Sequence, residues 1–598
     1  MKKMYKTFLP FILLFMLVGC NTNNDAKNDE EKNTGQTTQN KKEDNNRRIL
    51  ENDGTRQNQP AEEVHKDVQG LSNYYGHIEK RPGTGPKALA DQDEKIFNDK
   101  RYINIQLLGI NDLHGQLNVT RQVNGKPAGR ADYLAAYLKQ RQSQNKNTLL
   151  IQAGDMIGAS PPISALLQDE PTIEILNRIK FDLGTVGNHE FDKGVTELHR
   201  IINGGKHEKT GNFEGASFPW IVANIIDSQT GKTILPPYKV VRVKGVPIGF
   251  IGVVTTDTAS LVMPSAVQGL KFLDEAKTIN KYAAQLRKAG VRAIVVLAHN
   301  PGTSNINGQQ AVGEVVDIAN AVNDEVDIIY GGHNHAYLNS VVDGKLLVQS
   351  YSYGTAFSDV DIAIDPNTRD IAAKKAEIVT VYHENMKPDK KIARMIAKYE
   401  DKVRPQVERV VGSVEENITA LQNESGESAL GNLIADAQRA SMKTDFAFMN
   451  PGGIRADIEK GDVTWGELYT VQPFGNDLIK MSLTGKQIRQ VLNQQWVGAR
   501  TNMLQVSGLS YTWDDNQPVG QKVQNILVQD GTELDENKTY TVTANNFIAG
   551  GGDAFTAFTQ GTNRETGVKD LDALVSFFEN KKDAISYKIE GRTSKLRY

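Results

Sequence analysis

The chain is poor in cysteine, in net charge and in long apolar runs. Its 598 residues contain one cysteine, Cys20, which excludes an intramolecular disulfide framework and any multi-cysteine zinc or iron–sulfur site. The 69 Lys and Arg residues nearly balance the 72 Asp and Glu residues, so composition gives no support to a nucleic-acid polymer as partner. A mean hydropathy of −0.45 excludes a polytopic membrane protein. The length allows about three or four domains.

The first 20 residues predict an exported protein with a lipid anchor. Three lysines precede an apolar run over 8–18, which is shorter than the about 20 apolar residues that span a bilayer. This shape is typical of a signal peptide. The run ends in LVGC, which resembles a bacterial lipobox, a signal whose cysteine receives a diacylglyceryl group. We therefore expect a lipoprotein signal peptide over 1–20 with lipid attachment at Cys20; the alternative is an ordinary signal peptide with an incidental cysteine.

A polar segment follows the predicted signal peptide. Residues 21–100 contain few apolar side chains and cannot bury enough surface to offset the entropy of ordering, so we predict a disordered tether. A coil of ~80 residues has a root-mean-square reach of roughly 50 Å, which would hold a folded body away from a membrane. Residues 72–95 have a somewhat higher apolar content, so the end of the tether is not sharply defined by the sequence. The long tether favours a Gram-positive envelope, with a periplasmic lipoprotein as the alternative.

From residue 101 the sequence predicts an α/β body. Apolar runs rich in β-branched residues recur, and helical patterns lie between several of them. The predicted strands are Ile103–Ile110, Thr148–Ile151, Leu183–Val186, Pro247–Thr255, Arg292–Leu297, Val326–Tyr330 and Leu346–Gln349. The predicted helices are Ala131–Arg141 and Glu275–Lys288. Strands that alternate with helices indicate sheet layers covered by helices.

The second half has a different pattern. The charged stretch 386–411 predicts a connecting helix with one apolar face formed by Ile392, Met395 and Ile396. Beyond residue 412, helices are predicted at Ser428–Met442 and Gly485–Gln495, and strands at Phe446–Met449, Leu478–Leu483 and Thr539–Ala544. The two halves share no motif, which indicates two different domains.

Side chains that could bind metal ions follow five of the predicted strands. These strand ends carry the motifs NDLHG (111–115), GD (154–155), GNHEFD (187–192), AHN (298–300) and GGHNH (331–335). Five of the ten histidines lie in these motifs. Loops beyond the carboxyl ends of strands are where sites assemble in α/β sheets, so we expect the five motifs to meet.

The residue types in these motifs predict a centre for two divalent cations. In Asp112-Leu113-His114 the two polar side chains are two residues apart, and an extended segment points both to one side. The carboxylate of Asp155 can bridge two cations. Two carboxylates, one amide and four imidazoles suit Zn, Mn, Fe or Co, and with two cations the centre is net positive, as suits a phosphate. The predicted ligands are Asp112, His114, Asp155, Asn188, His299, His333 and His335.

In this order the motifs resemble those of the calcineurin-like metallophosphoesterases, and residues 101–598 resemble their two-domain 5′-nucleotidase branch. The resemblance implies a four-layer αββα metallophosphoesterase domain over 101–385, a connecting hinge helix over 386–411, and a smaller α/β (α+β) nucleotidase domain over 412–598. It also implies that rotation about the hinge carries substrate to the metals.

The same resemblance implies individual roles for the motif residues. Asp112, His114, Asp155 and His335 would hold one metal, and Asp155, Asn188, His299 and His333 the other. His189 and Asp192 match the catalytic pair of the family, in which an imidazolium held by a carboxylate assists phosphoryl transfer. Glu190 receives no role of its own; by default it is either solvated or supports a neighbouring ligand.

Three segments of the second half resemble substrate-binding segments of the family. Asn450-Pro451-Gly452-Gly453-Ile454-Arg455 is similar to the NGGGIR loop, in which glycines let the backbone approach a ligand and the arginine binds phosphate. The segments around Phe474 and Phe547 resemble those whose phenylalanines stack on the nucleobase, and Asp553 matches the ribose-binding aspartate. The implied substrate-binding residues are Asn450, Arg455, Phe474, Phe547 and Asp553.

Two departures from the family pattern bear on specificity. Pro451 replaces the first glycine of the NGGGIR loop. Where better-known nucleotidases carry phosphate-binding arginines, before the helix at 428–442, this chain has Glu424 and Glu427 and no arginine. This puts strict specificity for 5′-monophosphates in doubt.

The sequence therefore predicts a lipid-anchored extracytoplasmic hydrolase that releases phosphate from nucleoside 5′-phosphates. The alternatives within enzymes are a 2′,3′-cyclic-nucleotide 2′-phosphodiesterase/3′-nucleotidase and a UDP-sugar or nucleoside diphosphate hydrolase. A solute-binding lipoprotein is a distant alternative, because such a receptor does not need a seven-ligand metal centre. A surface adhesin is a third alternative, but we see no C-terminal sorting motif that would support it.

Overall fold

The computed structural model describes residues 91–497 and 501–597. The predicted signal peptide, Cys20 and the tether up to residue 90 lie outside the described residues. None of the helices in the described ranges is long and apolar enough to cross a bilayer.

The first half consists of strands with short intervening helices. The strands are β1 Ile103–Ile110, β2 Thr120–Val123, β3 Lys126–Gly129, β4 Thr148–Ala153, β5 Leu183–Thr185, β6 Gly205–His207, β7 Gly211–Phe213, β8 Trp220–Ile221, β9 Ile225–Asp227, β10 Tyr238–Val243, β11 Val246–Val254, β12 Leu270–Phe272, β13 Ala293–His299, β14 Ile328–Tyr330, β15 Tyr337–Val342, β16 Lys345–Ser350, β17 Ala356–Ile364 and β18 Ile371–Thr380. The helices are α1 Asp91–Phe97, α2 Ala131–Gln144, α3 Pro162–Ala165, α4 Glu170–Ile179, α5 Gly194–Asn203, α6 Thr258–Leu261, α7 Glu275–Lys288 and α8 Glu314–Ala321, with 3-10 turns at His189–Phe191 and Pro264–Val267.

Two six-stranded sheets form the centre of this half. One has the order β18-β17-β1-β4-β5-β8 and the other β10-β11-β13-β14-β16-β15. Within each sheet the inner strands are parallel, β1 with β4 and β5 in the first and β11 with β13 and β14 in the second. The carboxyl ends of these strands therefore lie at one edge of each sheet, which is where the five polar motifs begin.

Apolar side chains join the layers. Ile105 and Leu107 of the first sheet share one buried cluster with Ile248, Phe250 and Val295 of the second. The outer face of the first sheet packs on α2, α4 and α5, and that of the second packs on α7 and α8. Strands buried on both faces are typically continuous apolar runs, as in the fully buried β11. The predicted αββα layering is confirmed.

The helix α1 lies within the range predicted to be tether. Its last residue, Phe97, accepts a hydrogen bond at its carbonyl from Asn104 Nδ2 at 2.8 Å, and Lys375 Nζ lies 4.4 Å from its ring centroid. The prediction of disorder is therefore wrong for the end of the segment. One aromatic side chain is enough to dock a short helix onto an existing sheet edge, and composition averaged over 80 residues does not detect it.

The connecting helix α9 runs over Lys390–Val407. Asp389 caps its start by accepting hydrogen bonds from the N–H groups of Lys391 and Ile392. Ile392 and Ile396 pack into the core of the first half, with Met395 partly buried beside them. The predicted apolar face thus docks on the first domain.

The second half is an α/β unit with its own cores. Its strands are β19 Val410–Val414, β20 Phe446–Met449, β21 Gly461–Thr464, β22 Asp477–Thr484, β23 Gln505–Ser507, β24 Leu509–Trp513, β25 Val523–Val528, β26 Thr539–Asn545, β27 Thr562–Lys569 and β28 Thr593–Lys595. Its helices are α10 Ala429–Met442, α11 Trp465–Val471, α12 Gly485–Asn493, α13 Asn546–Ala549 and α14 Asp570–Glu579, with 3-10 turns at Pro451–Gly453, Gln494–Trp496, Gly552–Ala554 and Thr556–Gln560. A five-stranded sheet of order β23-β20-β26-β22-β27 separates two apolar clusters.

Candidate active site

The five strand-end motifs of the first half converge on one cluster of carboxylates and imidazoles. Five of the seven predicted metal ligands have a left-handed backbone, a conformation that costs of order 1–3 kcal/mol for a residue other than glycine. Their φ angles are 51° at Asp112, 48° at His114, 54° at Asp155, 75° at His333 and 57° at His335. These left-handed residues follow β1, β4 and β14, where the chain turns sharply at the end of the strand.

The first group of ligands contains Asp112, His114 and His335, all buried. Asp112 Oδ1 lies 3.4 Å from His335 Nε2, and the Nε2 atoms of the two histidines lie 3.2 Å apart. Ligands that are each about 2.1 Å from one ion are separated by such distances. Asp155 Oδ2 lies 3.7 Å from His114 Nε2, so the carboxylate of Asp155 borders this group.

The second group contains Asp155, His299 and His333. Asp155 Oδ2 lies 3.0 Å from His299 Nε2, and His333 Nδ1 lies 2.8 Å from Asn188 Oδ1. Asp155 therefore belongs to the second group and borders the first, and it also lies close to both His114 and His189.

The imidazoles are oriented as metal ligands. His114 Nδ1 donates to the carbonyl of Gly158 at 2.9 Å, and His299 Nδ1 donates to the carbonyl of Ala153 at 2.8 Å. Because a carbonyl can only accept, each ring directs Nε2 into the cluster. Burial lowers the pKa of His114 well below its usual value and also lowers that of His335, which keeps these rings neutral and able to bind a cation.

His299 responds to the carboxylates around it. Burial disfavours its charged form, but the carboxylates of Asp155 and Asp112 outweigh burial and raise the pKa of His299 to about 10. The site therefore favours positive charge at this position. A divalent cation satisfies that demand, so the donor set fits the metal centre that the sequence predicts.

His189 and Asp192 form a pair beside the cluster. His189 Nδ1 donates to Asp192 Oδ2 at 2.8 Å, and the ring of His189 lies 4.9 Å from that of His114. Burial opposes the charged form of His189, but Asp192 and Asp155 raise its pKa above the usual value. The pair can therefore hold a proton next to a bound phosphate.

Two of the predicted substrate residues reach this cluster from the second half. The ring of Phe474 lies nearly parallel to that of His189, with centroids 6.0 Å apart. The Arg455 guanidinium lies 5.8 Å from the centroid of Phe474. Arg455 is close enough to add to the effect of burial in lowering the pKa values of His114 and His335.

The other predicted substrate residues form a second group. Asn450 Nδ2 donates to Asp553 Oδ2 at 2.9 Å, and Asn450 Oδ1 accepts from Asn545 Nδ2 at 2.9 Å. Gly552 lies against the ring of Phe547, because a Cβ at residue 552 would be 2.4 Å from Phe547 Cε2. Glycine is required there by this close approach.

Comparison with known proteins places this site in a family. Residues 105–337 match the calcineurin-like phosphoesterase family, and residues 410–560 match the 5′-nucleotidase C-terminal domain. The chain is 36% identical over 563 residues to cell wall protein Lmo0130 of Listeria monocytogenes, a match that covers 86% of this chain and 71% of that protein. The chain belongs to the two-domain 5′-nucleotidase family.

This 5′-nucleotidase-family chain covers different shares of two further relatives. It is 44% identical over 503 residues to endonuclease YhcR of Bacillus subtilis, which covers 82% of this chain but only 41% of YhcR. The crystal structure of a 5′-nucleotidase precursor from Thermus thermophilus shares 29% identity with a TM-score of 0.71, over 83% of this chain and all of that one. The family membership identifies the chain as a hydrolase of the metallophosphoesterase type.

The acidic residues that replace the family's arginines do not face the cluster. Glu427 is buried and accepts hydrogen bonds from the N–H groups of Glu590 and Gly591 at 2.8 and 2.9 Å. Glu424 pairs with Arg597 on the surface. These carboxylates hold the C-terminal segment of this nucleotidase-family chain.

Sequence reasoning missed two residues of the site. Tyr353 is buried, has φ 61°, and packs its ring 5.0 Å from that of His335 and 5.8 Å from that of His114. Nothing in its local sequence indicates this. Glu190 is buried among backbone N–H groups of the metal-binding loops. Burial and the Asp155 carboxylate raise the pKa of Glu190 to about 7, while those N–H groups favour its charged form.

Proposed function

We propose that the protein hydrolyses nucleoside 5′-phosphates outside the cytoplasm and releases a nucleoside and inorganic phosphate. The observation that carries this proposal is the approach of Phe474 and Arg455 to His189, which brings a base-stacking ring and a guanidinium from the second half to the cluster of the first. An aromatic ring, a guanidinium and a cation-binding cluster together match the base and phosphate of one nucleotide.

The two groups support the proposed ligand sets, in which Asp155 is added to the first group and Asn188 to the second. Asp112, His114, Asp155 and His335 would hold one divalent ion, and Asp155, Asn188, His299 and His333 the other. Two such ions would supply Lewis acidity toward a phosphate and toward water at neutral pH. Zn, Mn, Fe and Co suit this mixture of oxygen and imidazole donors.

The protein's own residues would do the remaining work. A water oxygen attacks phosphorus, the bond to the nucleoside 5′-oxygen breaks, and that oxygen must gain a proton. His189, held by Asp192, is placed to provide positive charge to the phosphoryl oxygens or a proton to the leaving oxygen. Arg455 would bind the phosphate, Phe474 and Phe547 would hold the base, and Asn450 and Asp553 would bind the ribose.

A location at the cell surface completes the proposal. Cys20 of the LVGC sequence would carry the lipid, and the polar segment after it would separate the enzyme from the membrane. The relative Lmo0130 is named a cell wall protein, which supports an extracytoplasmic location. Replacing Cys20 with Ala should release the protein from membranes in cell fractionation and leave its specific activity unchanged.

A second group of substrates is favoured by the stretch around Glu424 and Glu427. It contains no arginine to assist Arg455, so a phosphate that carries a second substituent would lose less binding than a monoester dianion. This observation supports 2′,3′-cyclic nucleotides or UDP-sugars as alternative substrates.

A substrate panel tests the proposal. Purified protein with Mn²⁺ should hydrolyse AMP with a higher kcat/KM than ADP, UDP-glucose or 2′,3′-cyclic AMP, with His189→Asn as the inactive control. A preference for the cyclic or diphosphate substrate would select the alternative. Tight binding of nucleotides without turnover, and without bound metal, would instead support a solute-binding lipoprotein.

A further inference from the structure

Glu190 lies on the loop that carries Asn188, and its carboxylate reaches the loop that carries Asp155; it is not one of the proposed metal ligands. We infer that Glu190 is a positioning residue: its carboxylate fixes the spacing of the loops that carry Asp155 and Asn188, and so sets the affinity of the centre for metal. This inference rests on the proposed function, because it assigns a role to Glu190 within the proposed metal centre.

The carboxylate of Glu190 accepts hydrogen bonds from four backbone N–H groups. Oε1 accepts from Met156 at 2.8 Å and from Ile157 at 3.3 Å. Oε2 accepts from Asp155 at 2.9 Å and from Gly187 at 2.5 Å. Oε2 therefore bonds to both loops at once, so a single oxygen atom links them.

The arrangement requires a carboxylate and not merely a polar side chain. Successive N–H groups of residues 155–157 converge where Asp155 adopts φ 54°, which makes a concave site for an anion. Each oxygen of Glu190 accepts two hydrogen bonds. The NH₂ group of a glutamine would therefore face two donors and accept from neither.

The two loops that Glu190 joins pack closely against each other around Asp155. A Cβ at Gly187 would lie 2.2 Å from Asp155 Oδ1, and a Cβ at Gly154 would lie 2.6 Å from both Gly187 N and His299 Nδ1. Asp155 Oδ1 also accepts a hydrogen bond from the N–H of His189 at 2.9 Å. A displaced loop would thus move the carboxylate common to both proposed ligand sets and the histidine of the catalytic pair together.

Glu427 provides a matched control in the other half of the chain. It is also a buried carboxylate that accepts hydrogen bonds from two backbone N–H groups, and Asn432 Nδ2 donates to it at 2.7 Å. It holds the C-terminal segment, and none of the hydrogen bonds just named joins it to the metal cluster. Glu427→Gln therefore tests the general cost of neutralising a buried carboxylate.

The experiment measures Mn²⁺ binding to metal-free protein by calorimetry. Changes to residues that orient metal ligands typically weaken metal binding about 10–100-fold, and we expect a loss in this range for Glu190→Gln and Glu190→Ala. Glu427→Gln should bind Mn²⁺ within about twofold of the unchanged protein, although its thermal stability falls. Formate added to Glu190→Ala should partly restore Mn²⁺ binding, because it can occupy the vacated anion site.

Several outcomes would overturn the inference. Mn²⁺ binding of Glu190→Gln equal to that of the unchanged protein would do so, as would an equal loss in Glu427→Gln. If Glu190→Gln does not fold, Glu190→Asp keeps both oxygens and the charge but shortens the side chain, and it should still bind Mn²⁺ more weakly. If the unchanged protein binds no Mn²⁺, the proposed function is overturned first. If the Glu190 variants bind Mn²⁺ normally and the protein hydrolyses AMP, only the present inference is overturned.

Discussion

The two halves of the site are built differently. In the first half, six of the seven predicted metal ligands are almost fully buried, and five of the seven have a left-handed backbone. In the second half, Arg455, Phe474 and Phe547 are partly exposed; the first two lie on loops and Phe547 lies in the short helix α13. The comparison teaches that the groups proposed for chemistry lie within one domain, whereas the groups proposed for recognition come from the other. Changes in the first half should therefore abolish turnover, and changes in the second should shift KM and selectivity.

Removal of metal should have the largest effect. Treatment with a strong chelator should reduce AMP hydrolysis to background, because Asp112 and Asp155 would then lie among imidazoles with no shared cation. The melting temperature should fall as well, since a ligand that binds only the folded state stabilises it. Phosphate release and thermal melting before and after dialysis against Mn²⁺ measure both effects. Full activity in chelator would contradict a metal centre at the strand ends.

Replacing His189 with Asn should have the next largest effect. General acid–base catalysis contributes about 10²–10⁴-fold, so kcat for AMP should fall by that factor. Metal content should stay unchanged, because His189 is not one of the proposed ligands. Steady-state kinetics and elemental analysis of the same preparation test this. Turnover equal to that of the unchanged protein would remove His189 from the catalytic pair.

The same contrast explains what the sequence could and could not predict. The helix at Glu275–Lys288 and the strands at Ile103–Ile110 and Phe446–Met449 have the predicted bounds, because local apolar periodicity determines them. The metal-binding motifs were predictable since strand ends carry their ligands at short spacings. The order of strands in the sheets was not predicted, because it depends on pairing between distant segments.

The roles of single residues were harder to predict from the sequence where their hydrogen-bond partners are backbone groups. Glu190 and Glu427 bond to N–H groups that every residue except proline possesses, so no sequence signal marks them. The contact of Phe474 with His189 joins residues of two domains, and the family motif predicted the residue but not its neighbour.

Replacing Arg455 with Ala tests the recognition half most directly. A hydrogen bond to a charged group contributes about 1.5–3 kcal/mol, so kcat/KM for AMP should fall by about one to two orders of magnitude. The reduction should be smaller for a substrate without a dianionic phosphate, such as UDP-glucose. Kinetics on both substrates measure the difference. An equal reduction on both would show that Arg455 acts through the fold and not through phosphate binding.

Replacing Phe474 and replacing Phe547 should have different kinetic effects. Stacking on a base contributes about 1–3 kcal/mol, so Phe547→Ala should raise KM for AMP and leave kcat nearly unchanged. Phe474→Ala should lower kcat as well, because Phe474 also packs on His189. Hydrolysis of p-nitrophenyl phosphate, which has no nucleobase, should be affected by Phe474→Ala only. If both variants change KM alone, the contact with His189 has no part in turnover.

The smallest expected effect concerns pH and involves Asp570, the first residue of α14, which bonds to the loop that carries Phe474. Asp570 is buried, accepts a hydrogen bond from Asn476 Nδ2 at 3.1 Å, and burial raises its pKa to about 7. The unfolded pKa is about 3.9, so between roughly pH 4 and 7 the folded protein binds more protons than the unfolded chain. The contribution of Asp570 to stability is therefore fully present below pH 4 and is lost as pH rises toward 7.

The variant Asp570→Asn keeps a hydrogen-bond acceptor but cannot ionise. Its stability relative to the unchanged protein should therefore be higher at pH 8 than at pH 5. Thermal melting of both proteins at the two pH values measures this. A difference in melting temperature that does not vary with pH would show that Asp570 is ionised in the folded protein throughout this range.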